Sequence, residues 1–173
     1  MTAGGERRYS VQEFYALLYA MEHEAAERYD ELANQMETHN NAPVASLFRE
    51  LAAIERKHAV KLQSHGQSVQ AIRPRDLLLG ASFELPETAP LDRAHYLMTP
   101  AHALALALEN EEQAARCFDA LAAAAPDDEV RKLAADMAAE EHRHAALIRA
   151  KLAGLPEPPA DWDQDLDPPR FSE

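Results

Sequence analysis

Residues 51–62 read LAAIERKHAVKL and residues 137–148 read MAAEEHRHAALI. Each stretch carries a Glu followed three places later by a His, inside an otherwise apolar helical pattern. Side chains three and four apart share one face of a helix. Glu55 and His58 therefore lie in the stripe marked by Leu51 and Leu62, and Glu141 and His144 in the stripe marked by Met137 and Ile148. A carboxylate on a core-facing stripe is costly unless it is protonated, paired or bound to a metal. The spacing alone is weak evidence, because roughly one Glu-x-x-His pair arises by chance in a chain this rich in Glu. Its position within two apolar stripes is the signal.

Working outward, Ser10 and Glu13 have the spacing of a capping box, in which each side chain satisfies an amide at a helix start. The first helix then follows Tyr15, Leu18, Ala25, Tyr29, Leu32 and Met36. ETHNNAP (37–43) breaks the pattern, with Pro43 suited to the first turn of a second helix. That helix carries Val44, Leu47, Phe48, Leu51 and Leu62 and is expected to end near Gly66. Thr99 and Pro100 read as N-cap and first residue of a third helix, with Leu104, Leu108, Ala115, Phe118 and Leu121 or Ala122 as its stripe. AAPDDE (124–129) marks a turn. A fourth helix follows Val130, Leu133, Met137, Ile148 and Leu152 and stops at Gly154, a natural residue just past a helix end.

The two halves repeat. Glu22, Ala25, Tyr29, Asp30 and Leu32 align with Glu111, Ala114, Phe118, Asp119 and Leu121. Val44, Leu47, Leu51, Glu55 and His58 align with Val130, Leu133, Met137, Glu141 and His144. The pattern predicts an all-α protein of two helical hairpins forming a four-helix bundle, with residues 67–98 as the long crossover between them. The bundle is assigned to 1–154 and a Pro-rich, acidic tail to 155–173, which Trp162 is placed to pin.

All four helices point a carboxylate inward near mid-length. Glu22 lies four after Leu18 and seven before Tyr29, and Glu111 lies three after Leu108 and seven before Phe118. No Lys or Arg on the inner stripes is placed to neutralise them. Four carboxylates and two imidazoles, Glu22, Glu55, His58, Glu111, Glu141 and His144, make a donor set for two divalent iron or manganese ions. Asp30 and Asp119 are placed to orient the histidines or to sit on the surface. The remaining histidines, at 23, 39, 65, 95, 102 and 142, are read as surface or capping groups.

Composition sets further bounds. The 173 residues carry a formal charge of −13, which argues against nucleic acid or an anionic membrane as partner. No apolar run approaches membrane-spanning length, the longest candidate being DLLLGASF (76–83). The single Cys117 makes no intramolecular disulfide and suits a reducing compartment. A cytoplasmic location is expected. Phe14 and Leu17 are read as exposed apolar residues beside the inner stripe, able to support a homodimer.

EHEAAERY (22–29) with ERKH (55–58), then ENEEQAARCF (109–118) with EEHRH (140–144), resembles the rubrerythrin-type di-iron domain of the ferritin-like superfamily. The likeness covers residues 10–153. It implies a ferritin-like bundle holding two iron ions on the six residues named above, with Tyr29 a tyrosine that hydrogen-bonds near the site; its repeat partner is Phe118. It implies an oxidoreductase that oxidises ferrous iron or reduces peroxide, with dioxygen or peroxide as substrate and an external electron donor. Two departures stand out. The four cysteines of a rubredoxin module are missing from this sequence, and Ala114 occupies the place of an additional Glu, for which Glu109 or Glu112 could substitute. An iron-handling module without turnover, a hydroxylase and a manganese catalase-like enzyme are the alternatives.

Overall fold

Ser10 starts the first helix. In the computed structural model, which describes residues 10–63, 93–125 and 127–164, its Oγ accepts from the Glu13 amide at 3.2 Å while the Glu13 carboxylate accepts from the Ser10 amide at 2.9 Å. The capping box opens α1, Val11–Thr38. Asn40 then takes a left-handed backbone conformation, φ 58°, which Asn tolerates better than most residues. This reverses the chain into α2, Ala42–Gln63. The third helix, α3, spans Pro100–Ala124 and the fourth, α4, Asp128–Leu152. At α3 the cap is completed by a histidine, since Nδ1 of His102 accepts the Thr99 amide at 3.1 Å. Asp127 caps α4 by accepting the amides of Glu129 and Val130.

The helices pair as α1 with α2 and α3 with α4 along their lengths, while α2 meets α3 and α1 meets α4 over shorter stretches. The end of α1, the starts of α2 and α3 and the end of α4 share one end of the bundle. There Tyr29, Leu32, Met36, Phe48, Leu104 and Ile148 form one apolar core. At the other end Phe14, Leu17, Leu18, Leu62, Phe118 and Met137 form a second. The chain thus leaves α2 at one end and enters α3 at the other, as a long crossover requires. The expected crossover lies largely outside the described residues, as does the α2 terminus near Gly66. Asn41 ties the hairpins together at the first end: its Nδ2 donates to the carbonyls of Tyr96 and Met98 at 3.1 and 2.8 Å. After α4 the chain turns through Gly154, and Trp162 packs on the first core with its ring 3.8 Å from that of His102.

One expectation is corrected. Phe14 and Leu17 are fully buried in the second core, so they offer no surface for a dimer. At the open end of a bundle α1 touches more than one neighbour, and its apolar face widens beyond a single stripe. Among the described residues no helix is long and apolar enough to cross a membrane.

Candidate metal centre

Between the two cores lies a polar layer. Among the described residues four charged side chains are buried, and they are Glu22, Glu55, Glu111 and Glu141, each 4–5% exposed. Each helix contributes one. His58 and His144 reach into the same layer from α2 and α4, with rings parallel and centroids 4.7 Å apart. The six residues predicted from the repeat are therefore brought together, three from each hairpin.

The donors converge in two trios. Nδ1 of His58 faces Glu22 Oε2 at 3.4 Å and Glu55 Oε2 at 3.5 Å. Nδ1 of His144 faces Glu111 Oε2 at 3.3 Å and Glu141 Oε2 at 3.6 Å. One atom from each of Glu22, Glu55 and His58 lies within 4.8 Å of the others, and the same holds for His58, Glu141 and His144. The second group crosses from one hairpin to the other.

This packing raises the proton affinity of Glu22, Glu111, His58 and His144. Burial pushes the Glu22 carboxyl well above its ordinary range, against the opposing pull of His58. Burial likewise lifts Glu111 to about 8, with His144 opposing and the charges of Glu55 and Glu141 adding to the rise. For His58 burial works against the charged ring, but the facing carboxylates of Glu22 and Glu55 outweigh it and hold the imidazole up to about 10. The carboxylates of Glu111 and then Glu141 do the same for His144, again to about 10.

Hydrogen bonding does not satisfy the layer. Among the described residues the buried side-chain atoms without a hydrogen-bond partner are Arg28 Nε, His58 Nδ1, Glu111 Oε2, Glu141 Oε1 and His144 Nδ1. All but the first belong to the six. Buried polar atoms in native proteins are nearly always paired, so four orphans converging on one layer signal a missing positive partner. Carboxylate oxygens and imidazole nitrogens are the donors that divalent first-row metals take. The residues present fit two such ions.

Neighbouring residues divide into those that border the layer and those that do not. Tyr29 is 3% exposed and stacks on Phe48 at 6.1 Å. Burial, then the charges of Glu111 and Glu55, push its phenol well above its usual range, against a hydrogen bond with Asn110. Its repeat partner Phe118 is buried too but offers no hydroxyl. Glu109 and Glu112, the candidates for the additional carboxylate, are both engaged by arginines. Glu109 is bound by Arg93, which lowers its carboxyl, and Glu112 pairs with Arg149 and Arg116. Asp30 pairs with Arg49 and Arg56, and Asp119 with His142 at 2.9 Å, so neither orients His58 or His144. Cys117 is half-buried at the edge of the second core, and burial pushes its thiol up. The sequence reading missed the ion pair of Lys61 with Glu140, 2.8 Å across α2 and α4; its signal was that each residue adjoins a Glu-x-x-His pair.

Comparison with known proteins agrees with this geometry. The sequence model of the rubrerythrin family matches residues 13–72 and 102–159, and so takes in both hairpins. A crystal structure of an uncharacterized conserved protein from Magnetospirillum magnetotacticum MS-1 is similar over 87% of this chain and 99% of that one, with 36% identity and a TM-score of 0.65. No curated protein matches the sequence. With both Glu-x-x-His helices inside the matched segments and a buried carboxylate on every helix of the bundle, the chain belongs to the rubrerythrin family of the ferritin-like superfamily.

Proposed function

We propose that this protein is a dinuclear metal protein acting as an oxidoreductase, taking dioxygen or peroxide as substrate at a centre held by Glu22, Glu55, His58, Glu111, Glu141 and His144. The observation that carries the reading is the set of orphaned donor atoms in one buried layer. Two iron ions are the occupants that the family favours, and manganese suits the same donors. When bound, such a pair supplies electrons to an oxidant and accepts them back from ferrous iron or from an external protein donor.

The chain's own residues perform the rest. The four carboxylates neutralise the metal charge and fix the ions between helices, and the two imidazoles complete the donor set. The flanking apolar cores keep bulk water from the layer, which strengthens every charge interaction inside it. To the Tyr29 phenol, buried and held protonated by its surroundings, we assign the role of a hydrogen-bonding group near the centre. Its repeat partner Phe118 supplies no such group.

Elemental analysis of protein from cells supplied with iron and manganese tests this, with a Glu55→Ala/Glu141→Ala variant alongside. About two metal ions per chain, lost in the variant, is the expected result. Stopped-flow mixing of the ferrous protein with dioxygen or with peroxide then separates an oxidase from a peroxidase. Iron oxidised once without sustained turnover would assign the protein to iron handling instead. Absence of metal from both proteins after anaerobic ferrous reconstitution would overturn the reading.

A further inference from the structure

The two trios are not dressed alike on their solvent side. The layer reaches the surface through its histidines, whose side chains are 14% exposed at His58 and 20% at His144. One turn beyond His58 stands Lys61, and one turn before His144 stands Glu140. These two form an ion pair at 2.8 Å, so α2 is joined to α4 beside the stacked rings. Glu140 lies within electrostatic reach of His58 and is also approached by Arg143 at 3.4 Å.

The internal repeat sets Lys61 against Leu147 and Glu140 against Ile54, each pair 86 residues apart. In the equivalent place beside His144, therefore, stand two apolar side chains. Ile54 is half-buried and Leu147 is 64% exposed. These two positions themselves offer no charge pair to join the helices.

We propose that the Lys61–Glu140 pair is a clasp over the His58 trio, and that it makes the two metal positions unequal: an ion at Glu22, Glu55 and His58 is retained, while one at Glu111, Glu141 and His144 exchanges readily past Leu147. The inference rests on the metal-binding reading above. The clasp lies outside the donor set and ties two helices from different hairpins. Opening a path to His58 requires α2 and α4 to separate, and the ion pair opposes that separation. On the His144 side the same separation meets apolar side chains and, one turn further out, only the looser pair of Glu50 with Lys151, exposed and 4.0 Å apart.

Release of cobalt(II) from the full-length protein into excess chelator, followed by visible absorbance, reads both positions without reference to turnover. The wild type is expected to lose cobalt in two phases of equal amplitude. Lys61→Met keeps the aliphatic stem and removes the charge. It should speed the slow phase roughly twofold to fivefold, the rate ratio that an exposed ion pair is worth, and leave the fast phase unchanged. Arg131→Met, which removes an exposed ion pair with Asp128 remote from the layer, should change neither. The graft Ile54→Glu/Leu147→Lys places a second clasp at the equivalent site and should slow the fast phase. Circular dichroism melts confirm that each variant is folded.

A single release phase in the wild type would overturn the proposed inequality while leaving the metal centre standing. So would a slow phase that Lys61→Met leaves untouched while the graft leaves the fast phase untouched. Failure of the wild type to bind cobalt at all would instead remove the metal-binding reading on which the clasp depends.

Discussion

A carboxyl group taken out of water holds its proton more tightly, and an imidazole facing carboxylates does the same; both tendencies meet in one layer here. In metal-free protein the folded state therefore binds more protons than the unfolded chain. Glu111 moves from an ordinary 4.5 to about 8, and His58 and His144 from 6.5 to about 10. For each group the folded value lies above the unfolded one, so its contribution to stability is whole below the unfolded value and disappears as pH rises through the folded one. The chelator-treated protein should thus lose melting temperature progressively from about pH 5 to about pH 10. Metal takes the place of those protons, so the metal-loaded protein should show a much flatter profile over the same range. A metal-free profile that rises through neutral pH would contradict the assigned environments. At this scale the inward carboxylates were legible because their spacing from Leu18, Leu51, Leu108 and Met137 fixes the face they occupy. For Asp30 and Asp119 the sequence left two roles open, and the surface one is what their partners show. Each follows an inward aromatic residue by one position, and a step of one residue turns a side chain about 100° round the helix, away from the layer and toward surface partners.

Among the elements, the starts of α2 and α3 are where the two hairpins are fastened by a single side chain. Asn41 accepts the Val44 amide at 3.4 Å at the start of α2 and donates to two carbonyls just before α3. Asn41→Ala removes all three bonds and leaves the Tyr96 and Met98 carbonyls to find water. A loss of about 1–2 kcal/mol in unfolding free energy is expected, the magnitude of a lost cap with its tertiary bonds. Denaturant unfolding monitored at 222 nm measures it. Asn41→Asp separates the two roles, since it keeps the amide acceptor but loses the donor to the carbonyls, and should recover only part of the loss. Helix limits near Ser10, Thr99 and Gly154 were readable from local cap chemistry. The burial of Phe14 and Leu17 was not, because the width of a helix's buried face depends on how many neighbours it touches, and the stripe rule assumes one. His102 completing the α3 cap agrees with its reading as a surface or capping group.

Taken as a whole, the molecule is two well-packed hairpins that meet less extensively with each other than within themselves, with a polar layer at the middle of the seam. An apolar core at that level would close the seam by burial alone. Here four carboxylates replace it, and the layer is cohesive only when positive charge sits among them. Metal should therefore act as a fastener between hairpins. The cross-hairpin trio of His58, Glu141 and His144 is the contact that makes it one. Hydrogen exchange distinguishes this from general stabilisation. On chelation, amides of α2 around Glu55–His58 and of α4 around Glu141–His144 should lose protection most. Those near the apolar cores, around Met36 and Phe48 at one end and Leu121 and Val130 at the other, should change less, because their packing contains no ligand. Uniform loss along all four helices would mean that metal merely shifts global unfolding by mass action, whereas loss concentrated at mid-length would locate the fastening in the layer itself. The graded outcome is expected because the cores on either side are complete without the metal and the seam between them is not.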